Sequence, residues 1–177
     1  QYLTWTSDDN RFYPVKSSTG FLVSNTANAV YVVTTNHSVN ITDKEKQIIC
    51  EKNGLADGNG LNQEIRILIE GDVSTGASIE ASSRQDDFCV LSANDVFQQK
   101  TIFHLGRDKD MQIGDEVYAI GFSGEEGKVI EIHAGSIQDT SASYKENTYI
   151  QHSAVIAPQQ SGGALVNQSG YLIGMNN

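Results

Sequence analysis

The chain has 177 residues, 38% of them hydrophobic, and a formal net charge of −10. This length predicts one domain with a sizeable core, and the acidic balance disfavours binding to nucleic acid or to an anionic membrane surface. No apolar run approaches the ~20 residues that a membrane-spanning helix needs, and the opening Gln1–Trp5 has neither the basic start nor the apolar stretch of a signal peptide.

Short runs rich in β-branched and aromatic residues recur along the chain, separated by Gly, Asn, Asp and Ser. They are Gly20–Val23, Ala29–Thr35, Glu64–Ile69, Val117–Ile120, Lys128–Ile132 and Tyr171–Ile173. Such residues favour strands, and many short strands are typical of a sandwich or a barrel. No long segment has helical periodicity, although Asp43–Gln47 predicts a helical turn and Gln47–Cys50 a further strand-like piece. The sequence therefore predicts an all-β fold.

Candidate general bases are few, because the chain has four histidines: His37, His104, His133 and His152. His37 directly follows the strand-like run that ends at Thr35, so its ring is expected at the rim of a buried core. His104 and His133 have the pattern of surface or half-buried residues, and His152 stays a weaker alternative. His37 is thus the favoured base.

A pair of aspartates supplies a candidate carboxylate. Asp86 and Asp87 precede the apolar run Phe88–Leu91, which has the length of a short buried strand. A carboxylate at the mouth of that strand can orient an imidazole and stabilise its charged form. Because neighbouring residues point to opposite faces of a strand, only one of the two can do so.

The segment Gln160–Ala164 places Ser161 on a glycine-containing turn before the apolar Leu165–Val166. Glycine lets the backbone approach a ligand closely and adopt conformations that other residues avoid. A serine on such a turn can present its hydroxyl beside backbone N–H groups, as an activated nucleophile and its oxyanion hole require. An ordinary loop is the alternative, since Ser and Gly are common turn residues.

The order histidine, aspartate, serine is that of the chymotrypsin arrangement and differs from the orders in subtilisin and the α/β-hydrolases. Six segments in matching order resemble the trypsin-like (chymotrypsin-fold) serine proteases, with the bacterial HtrA-type enzymes closest. They are Thr19–Val23, Val33–Val39, Asp87–Leu91, Gly114–Phe122, Gly135–Ile137 and the pair Ser161–Asn167 with Gly170–Gly174.

This resemblance implies a double six-stranded antiparallel β-barrel, with an N-terminal barrel over about 1–97 and a C-terminal barrel over about 98–177. The family continues beyond the position of Asn177 with a terminal strand and helix, which this sequence lacks. The resemblance also implies a serine endopeptidase, secreted or at the cell surface, that acts on protein or peptide substrates without a cofactor. The oligomeric state stays open.

The resemblance assigns roles to individual residues. His37 is the general base, Asp87 orients it, and Ser161 is the nucleophile. Asp87 is favoured over Asp86 because the family's apolar run comes directly after the acid. The backbone N–H groups of Gln159 and Ser161 line the oxyanion hole.

Three positions depart from the family pattern: Gln159 replaces the usual Gly, Gln160 the usual Asp or Asn, and Ala164 the usual Pro. Glycine makes the turn of the oxyanion hole at little cost, so Gln159 predicts a distorted or collapsible hole. That departure motivates a second hypothesis, a catalytically impaired protease-like domain that binds proteins. A third hypothesis, an unrelated β-sandwich interaction domain, predicts that the three candidate residues lie apart.

Val155, Ile156 and Ala157 fall where the family builds its primary specificity pocket. All three are apolar or small, and no acid is present to receive Lys or Arg, so the expected preference is for a modest apolar side chain.

Cys50 and Cys89 do not form a disulfide framework, and whether they bond to each other is left open. No His, Cys and carboxylate cluster has the ligand spacing of a metal site, so no metal is expected.

Overall fold

The structure, a computed structural model, describes residues 2–6, 12–26, 29–54, 62–69, 73–94, 101–107, 111–124, 129–144 and 146–177. These residues form twelve strands and two helices. In chain order the elements are β1 (Tyr2–Thr6), β2 (Phe12–Ser17), β3 (Phe21–Asn25), β4 (Ala29–Thr35), α1 (Asn36–Val39), α2 (Asp43–Asn53), β5 (Asn62–Ile69), β6 (Val73–Ser83), β7 (Phe88–Asn94), β8 (Glu116–Ser123), β9 (Val129–Tyr144), β10 (Asn147–His152), β11 (Ala164–Asn167) and β12 (Leu172–Met175).

The described strands make two sheets, and neighbouring strands within each are antiparallel. The first sheet has seven strands in the order β2-β1-β5-β6-β7-β4-β3, and the second has five in the order β10-β9-β8-β11-β12. The prediction of an all-β, chymotrypsin-like fold is confirmed, although the described strands divide seven and five rather than six and six. The chain changes sheet between β7 and β8, and the barrel boundary near residue 97 stays a prediction.

Alternation of buried side chains fixes the register of β4 against β7. Val30 and Val32 on β4 are buried, as are Cys89 and Leu91 on β7, because alternate residues of a strand share a face. Val32 lies opposite Leu91. Full burial of a Val or Leu side chain contributes about 1.5–3 kcal/mol, and a slip by one residue would turn these side chains outward. The ends of both strands are therefore held in fixed relative positions.

Helix α2 is set by its ends. The Thr42 hydroxyl accepts a hydrogen bond from the Glu45 N–H, and the Glu45 carboxylate accepts one from the Thr42 N–H, forming a capping box. Gly54 ends the helix with a φ of 64°, in the left-handed region. The predicted helical turn at Asp43–Gln47 is confirmed, whereas the strand-like interpretation of Gln47–Cys50 is wrong. The apolar run there is too short to override a capped helix.

Both cysteines are free and buried. Burial raises the pKa of the Cys89 thiol to about 11, so the thiol is neutral at physiological pH. Cys89 packs among the core residues of the first sheet and behaves there as a small hydrophobe.

The two sheets meet through an apolar cluster that contains residues of both. Phe21 of β3 packs with Ala164 and Val166 of β11 and with Leu172 of β12. Because β11 begins only three residues after Ser161, this contact fixes the serine-bearing turn against the first sheet.

Candidate active site

His37 and Asp87 meet because of the register between β4 and β7. Thr35, the last residue of β4, lies opposite Phe88, the first residue of β7. His37 comes two residues after Thr35, in the single turn of α1, and Asp87 comes directly before Phe88. Antiparallel pairing therefore brings the two residues together where β4 ends and β7 begins.

Asp87 holds the start of α1 through three of its oxygen atoms. Its backbone carbonyl accepts the Asn36 N–H at 3.1 Å, and its Oδ1 accepts the His37 N–H at 2.8 Å. Oδ2 lies 2.7 Å from His37 Nδ1. The His37 side chain is 52% exposed and that of Asp87 20%. The carboxylate thus fixes both the backbone and the ring of His37, while the ring stays accessible from the cleft.

The alternative acid is engaged elsewhere. Asp86 Oδ2 accepts a hydrogen bond from the Ser83 hydroxyl at 2.7 Å, and the Asp86 N–H donates to the same hydroxyl at 3.1 Å. These two contacts close the β6–β7 turn on itself. Asp87, with a φ of 52°, is the aspartate that faces His37.

The other histidines have different surroundings. His133 Nε2 lies 3.0 Å from Glu131 Oε2 on the second sheet. The His152 ring has a buried Nδ1 without a hydrogen-bond partner among the described residues, and burial lowers the pKa of its imidazole. His104 is exposed, and its ring lies beside that of Tyr171.

The Ser161 turn is seated against the end of β4. The Ser161 carbonyl accepts the Thr19 N–H at 3.0 Å, and the next residue, Gly162, donates its N–H to the Asn176 carbonyl at 2.7 Å. Gly162 has a φ of 85°, and a Cβ there would overlap the Thr19 carbonyl oxygen and Thr34 Oγ1. Only glycine fits this close approach. The turn therefore packs on the strand end that leads into α1 and His37.

Within the described part of the chain, no hydrogen bond joins the Ser161 hydroxyl to the His37 ring. Nucleophile–base contacts in the absence of substrate are often long or poorly aligned and tighten when substrate binds. The structure thus brings His37 and Asp87 into direct contact and seats the Ser161 turn against the end of β4, two residues before His37.

Gln159 adopts a φ of 76°, the left-handed conformation that glycine adopts most easily. Its carbonyl accepts a hydrogen bond from the Thr19 hydroxyl at 2.9 Å, and its side-chain Oε1 is buried without a partner among the described residues. The N–H groups of Gln159 and Ser161 donate to no group that the structure describes. These are the two donors that the family resemblance assigns to an oxyanion hole.

Gln160 anchors the other end of this turn. Its side chain is 1% exposed, with Oε1 accepting the Ala157 N–H at 2.9 Å and Nε2 donating to Glu131 Oε2 at 2.9 Å. Hydrogen bonds from Ser123 and His133 hold the pKa of the Glu131 carboxyl below its usual range. The carboxylate thus stays charged at neutral pH and accepts the Gln160 amide on the second sheet.

A cleft of about 580 Å³ runs beside His37 and is lined from both sheets. Its lining includes His37, Asp87 and Arg84 on one side and Tyr144, Asn147 and Tyr149 on the other. The Asn147 side-chain amide donates to the Gln85 carbonyl, in the turn that carries Asp87. The cleft therefore spans the junction of the two sheets.

The residues predicted for the specificity pocket take three different positions. Val155 is 65% exposed, Ile156 packs against the core of the second sheet, and Ala157 is held by the Gln160 side chain. Their role in substrate selection stays a prediction.

Two oppositely charged side chains near His37, those of Lys16 and Glu45, pair with each other. Lys16 Nζ donates to the His37 carbonyl at 2.9 Å and lies 2.6 Å from Glu45 Oε1. Partial burial raises the pKa of the Glu45 carboxyl, but Lys16 and the two Thr42 donors outweigh burial and bring it down to about 2. This ion pair ties α2 to the residue that carries the imidazole.

In the ranges that the structure describes, no three His, Cys, Asp or Glu side chains come together as metal ligands. No helix within the same ranges is long and apolar enough to cross a membrane.

Sequence reasoning missed two contributors to this site. From the sequence, Thr19 belongs to a matching segment and Glu131 to a strand-like run, and neither is assigned to the site. The alternation of Glu131 and His133 at i, i+2 on one strand places both on the same face, which is a signal for a pair. No local pattern signals the Thr19 contacts, because they cross between the sheets.

The chain is similar to known proteins, which identifies its family. The family described as the trypsin-like peptidase domain matches residues 18–175. The chain is 26% identical over 151 residues to the serine protease Do-like HtrA of Lactobacillus helveticus, covering 82% of this chain and 32% of that protein. It is 30% identical over 142 residues to the serine protease Do-like HtrB of Bacillus subtilis (strain 168), covering 76% of this chain and 30% of that protein. The chain thus spans about a third of the length of these curated relatives.

Two solved structures have a fold similar to that of this chain. The HtrA-type protease AlgW with decapeptide superposes with a TM-score of 0.68 at 25% identity, covering 94% of this chain and 44% of that one. A second AlgW structure, with tripeptide, gives a TM-score of 0.64 at 24% identity, covering 98% and 48%.

Proposed function

Because the chain belongs to the trypsin-like peptidase domain family, we propose that it is a serine endopeptidase that uses Ser161, His37 and Asp87. The observation that carries the proposal is the double contact of Asp87 with His37, at 2.8 Å to the backbone N–H and 2.7 Å to Nδ1. A carboxylate in this position fixes the tautomer with a free Nε2, which a general base requires.

The proposed reaction has two halves. The Ser161 oxygen attacks the carbonyl carbon of a peptide bond while His37 Nε2 takes the serine proton, and Asp87 stabilises the imidazolium. His37 then gives that proton to the leaving amine as the C–N bond breaks, which leaves an acyl-enzyme. Water, deprotonated by the same imidazole, attacks the ester carbonyl carbon. The bond from that carbon to the Ser161 oxygen then breaks, the imidazolium returns the proton to Ser161, and the carboxylic acid product leaves.

The negative oxygen of each tetrahedral intermediate needs donors. We assign this role to the N–H groups of Gln159 and Ser161, since neither is used within the described part of the chain. The left-handed φ of Gln159 supports this assignment, since the usual glycine adopts that conformation at least cost. Loss of one such donor typically lowers turnover by about a hundredfold to a thousandfold.

We assign the peptide substrate to the cleft beside His37, which residues of both sheets line. AlgW, which has a similar fold, is known with a decapeptide. The family resemblance assigns the primary pocket to Val155, Ile156 and Ala157, and we propose from their apolar or small side chains a preference for a modest apolar side chain on the substrate. Profiling cleavage with a peptide library tests this preference, and selection of Lys or Arg would contradict it. A secreted or cell-surface location is proposed from the family.

A second candidate is a protease-like domain that binds proteins without cleaving them. Two observations favour it: Gln159 stands at the position of the family's glycine, and no hydrogen bond joins Ser161 to His37 among the described residues.

Labelling with a fluorophosphonate separates the two candidates. Mass spectrometry of the labelled wild-type chain is expected to place the adduct on Ser161, with labelling absent in Ser161→Ala and strongly slowed in His37→Ala. Ser169→Ala, which changes an exposed serine on the neighbouring turn, is the matched control and should label normally. A folded wild-type chain that takes no label would contradict the endopeptidase and leave the non-cleaving domain as the remaining candidate.

A further inference from the structure

We propose that Thr19 is a positioning residue for the oxyanion hole, its hydroxyl holding the turn that aims the Gln159 N–H at the substrate. This inference rests on the proposed peptidase function and adds a residue from outside the nucleophile loop to its machinery.

Thr19 uses every polar atom that it has. Its N–H donates to the Ser161 carbonyl at 3.0 Å, and its own carbonyl accepts the Thr34 hydroxyl at 2.6 Å. Its hydroxyl donates to the Gln159 carbonyl at 2.9 Å and accepts the Phe122 N–H at 2.8 Å. The residue is 4% exposed, so water does not compete for these contacts.

The chemistry of the two hydroxyl partners explains why a hydroxyl is required. The Phe122 N–H can only donate, and the Gln159 carbonyl can only accept, so the group between them must accept one hydrogen bond and donate another. Serine and threonine do this in a small volume. An apolar residue at position 19 leaves a donor and an acceptor unsatisfied in a buried place.

The location of Thr19 between the two sheets matters as much as its hydrogen-bonding capacity. Phe122 belongs to β8 of the second sheet, and Thr34 belongs to β4 of the first, so Thr19 ties the nucleophile loop to both. Because α1 and His37 follow directly from β4, these contacts set the Gln159 turn relative to the general base.

The turn needs such support. Gln159 is a non-glycine residue with a φ of 76°, a conformation that persists only where the surroundings hold it. Thr19 fixes its carbonyl, and on the next residue the Gln160 side chain folds back onto the Ala157 N–H. The Gln159 carbonyl and the Ala157 N–H are therefore both held. They flank the peptide between residues 158 and 159, which carries the Gln159 N–H, so rotation of that peptide is restricted.

The test compares two substitutions at one position. Thr19→Val keeps the branched shape and removes the hydroxyl, whereas Thr19→Ser keeps the hydroxyl. Peptide hydrolysis, normalised by active-site titration, should show kcat lowered by about tenfold to a hundredfold in Thr19→Val with KM changed by less than about threefold, because misplaced catalytic groups cost rate. Thr19→Ser should stay within about threefold of wild type. An unchanged kcat per titrated site in Thr19→Val would overturn the inference.

Thr26→Val is the matched control. Its hydroxyl also donates one hydrogen bond and accepts one, both with Ala29, but it lies in the β3–β4 turn away from the nucleophile loop. This variant should hydrolyse peptides like the wild type. Equal losses of kcat in Thr26→Val and Thr19→Val would show a general effect of losing a buried or turn hydroxyl and would overturn the positioning role.

Amide hydrogen exchange tests the inference without turnover. The Phe122 N–H donates to the Thr19 hydroxyl, and the Gln160 N–H, which shares a peptide with the Gln159 carbonyl, donates to the Ala157 carbonyl. In Thr19→Val both amides should exchange at least about tenfold faster than in wild type, while the Tyr118 amide on the same strand as Phe122 is unchanged. If Thr19→Val does not fold, hydrogen exchange of the wild-type protein tests the inference. The Phe122 and Gln160 amides must then be as protected as the Tyr118 amide, and fast exchange at either refutes the inference. A wild type that hydrolyses no peptide but shows this exchange pattern would contradict only the proposed function.

Discussion

Replacing Asp87 by Asn tests how the carboxylate acts. Asn tolerates the left-handed φ of 52° at this position, so the backbone is retained. The side-chain atom facing the His37 N–H must accept, because a backbone N–H only donates, and it therefore remains the oxygen. The new NH2 group then faces His37 Nδ1, which must become the acceptor, and the ring proton moves to Nε2.

A ring protonated at Nε2 cannot take the proton of Ser161. Loss of the acid's role in a serine, histidine and aspartate triad lowers kcat by about ten-thousandfold, which corresponds to about 5 kcal/mol of transition-state stabilisation. We expect a loss of this size in peptide hydrolysis by Asp87→Asn, with KM changed by less than about threefold and an unchanged circular dichroism spectrum.

Asp86→Asn is the matched control, because the neighbouring carboxylate bonds only within its own turn. It should retain nearly full activity. If Asp87→Asn keeps more than about a tenth of the wild-type kcat, or if Asp86→Asn loses as much activity, the assignment of the triad acid is refuted.

Three further predictions concern ionisation and burial. Glu45→Gln should lower the free energy of unfolding by about 1 kcal/mol at neutral pH. The fall of the Glu45 pKa from 4.5 to about 2 converts to roughly 3 kcal/mol. Because the Glu45 side chain is 38% exposed, solvent screening reduces that contribution. The folded-state pKa is depressed, so this difference should vanish as pH falls from 4.5 towards 2 in urea titrations, and a constant difference would contradict the Lys16 contact. Cys50 and Cys89 should resist iodoacetamide in the native state and react after unfolding, because both are buried; rapid native labelling would show that they are not. His152 resists protonation when folded, so stability should drop as pH falls below the ordinary histidine pKa of 6.5, and His152→Gln should flatten that slope; an identical slope in both proteins would refute this origin.

The first sheet shows what sequence patterns can deliver. The alternation in Ala29–Thr35 and the apolar run from Phe88 identify two strands, and residues at the two strand ends become candidate partners. That His37 and Asp87 do meet depends on the pairing of β4 with β7, which is a long-range choice that alternation alone does not specify. The pairing of His37 with Asp87 follows from the family resemblance instead.

Two local patterns compete at Gln47–Cys50, an apolar run and a set of helix-capping signals. The apolar residues of Gln47–Cys50 favoured a strand, but the Thr42 and Glu45 capping box and the left-handed Gly54 favoured a helix. The capping signals are themselves visible in the sequence, as Thr-x-x-Glu before the segment and Gly after it. These capping signals outweigh the short apolar run, and the segment is helical.

The nucleophile turn lies at the limit of sequence reasoning. The replacement of glycine by Gln159 predicts a distorted or collapsible oxyanion hole, because glycine makes the turn at little cost. The structure gives Gln159 a left-handed φ all the same, with Thr19 and Gln160 supporting the turn through buried hydrogen bonds. These contacts join residues far apart in the chain, so nothing in the local sequence reports them.

The crystal structure of the chain after reaction with a peptidyl phosphonate tests the central proposal most directly. The account predicts a bond between Ser161 Oγ and phosphorus, with the phosphoryl oxygen within about 3 Å of the Gln159 and Ser161 nitrogens and His37 still bonded to Asp87. An adduct on another residue, or a phosphoryl oxygen that contacts neither N–H group, would contradict it.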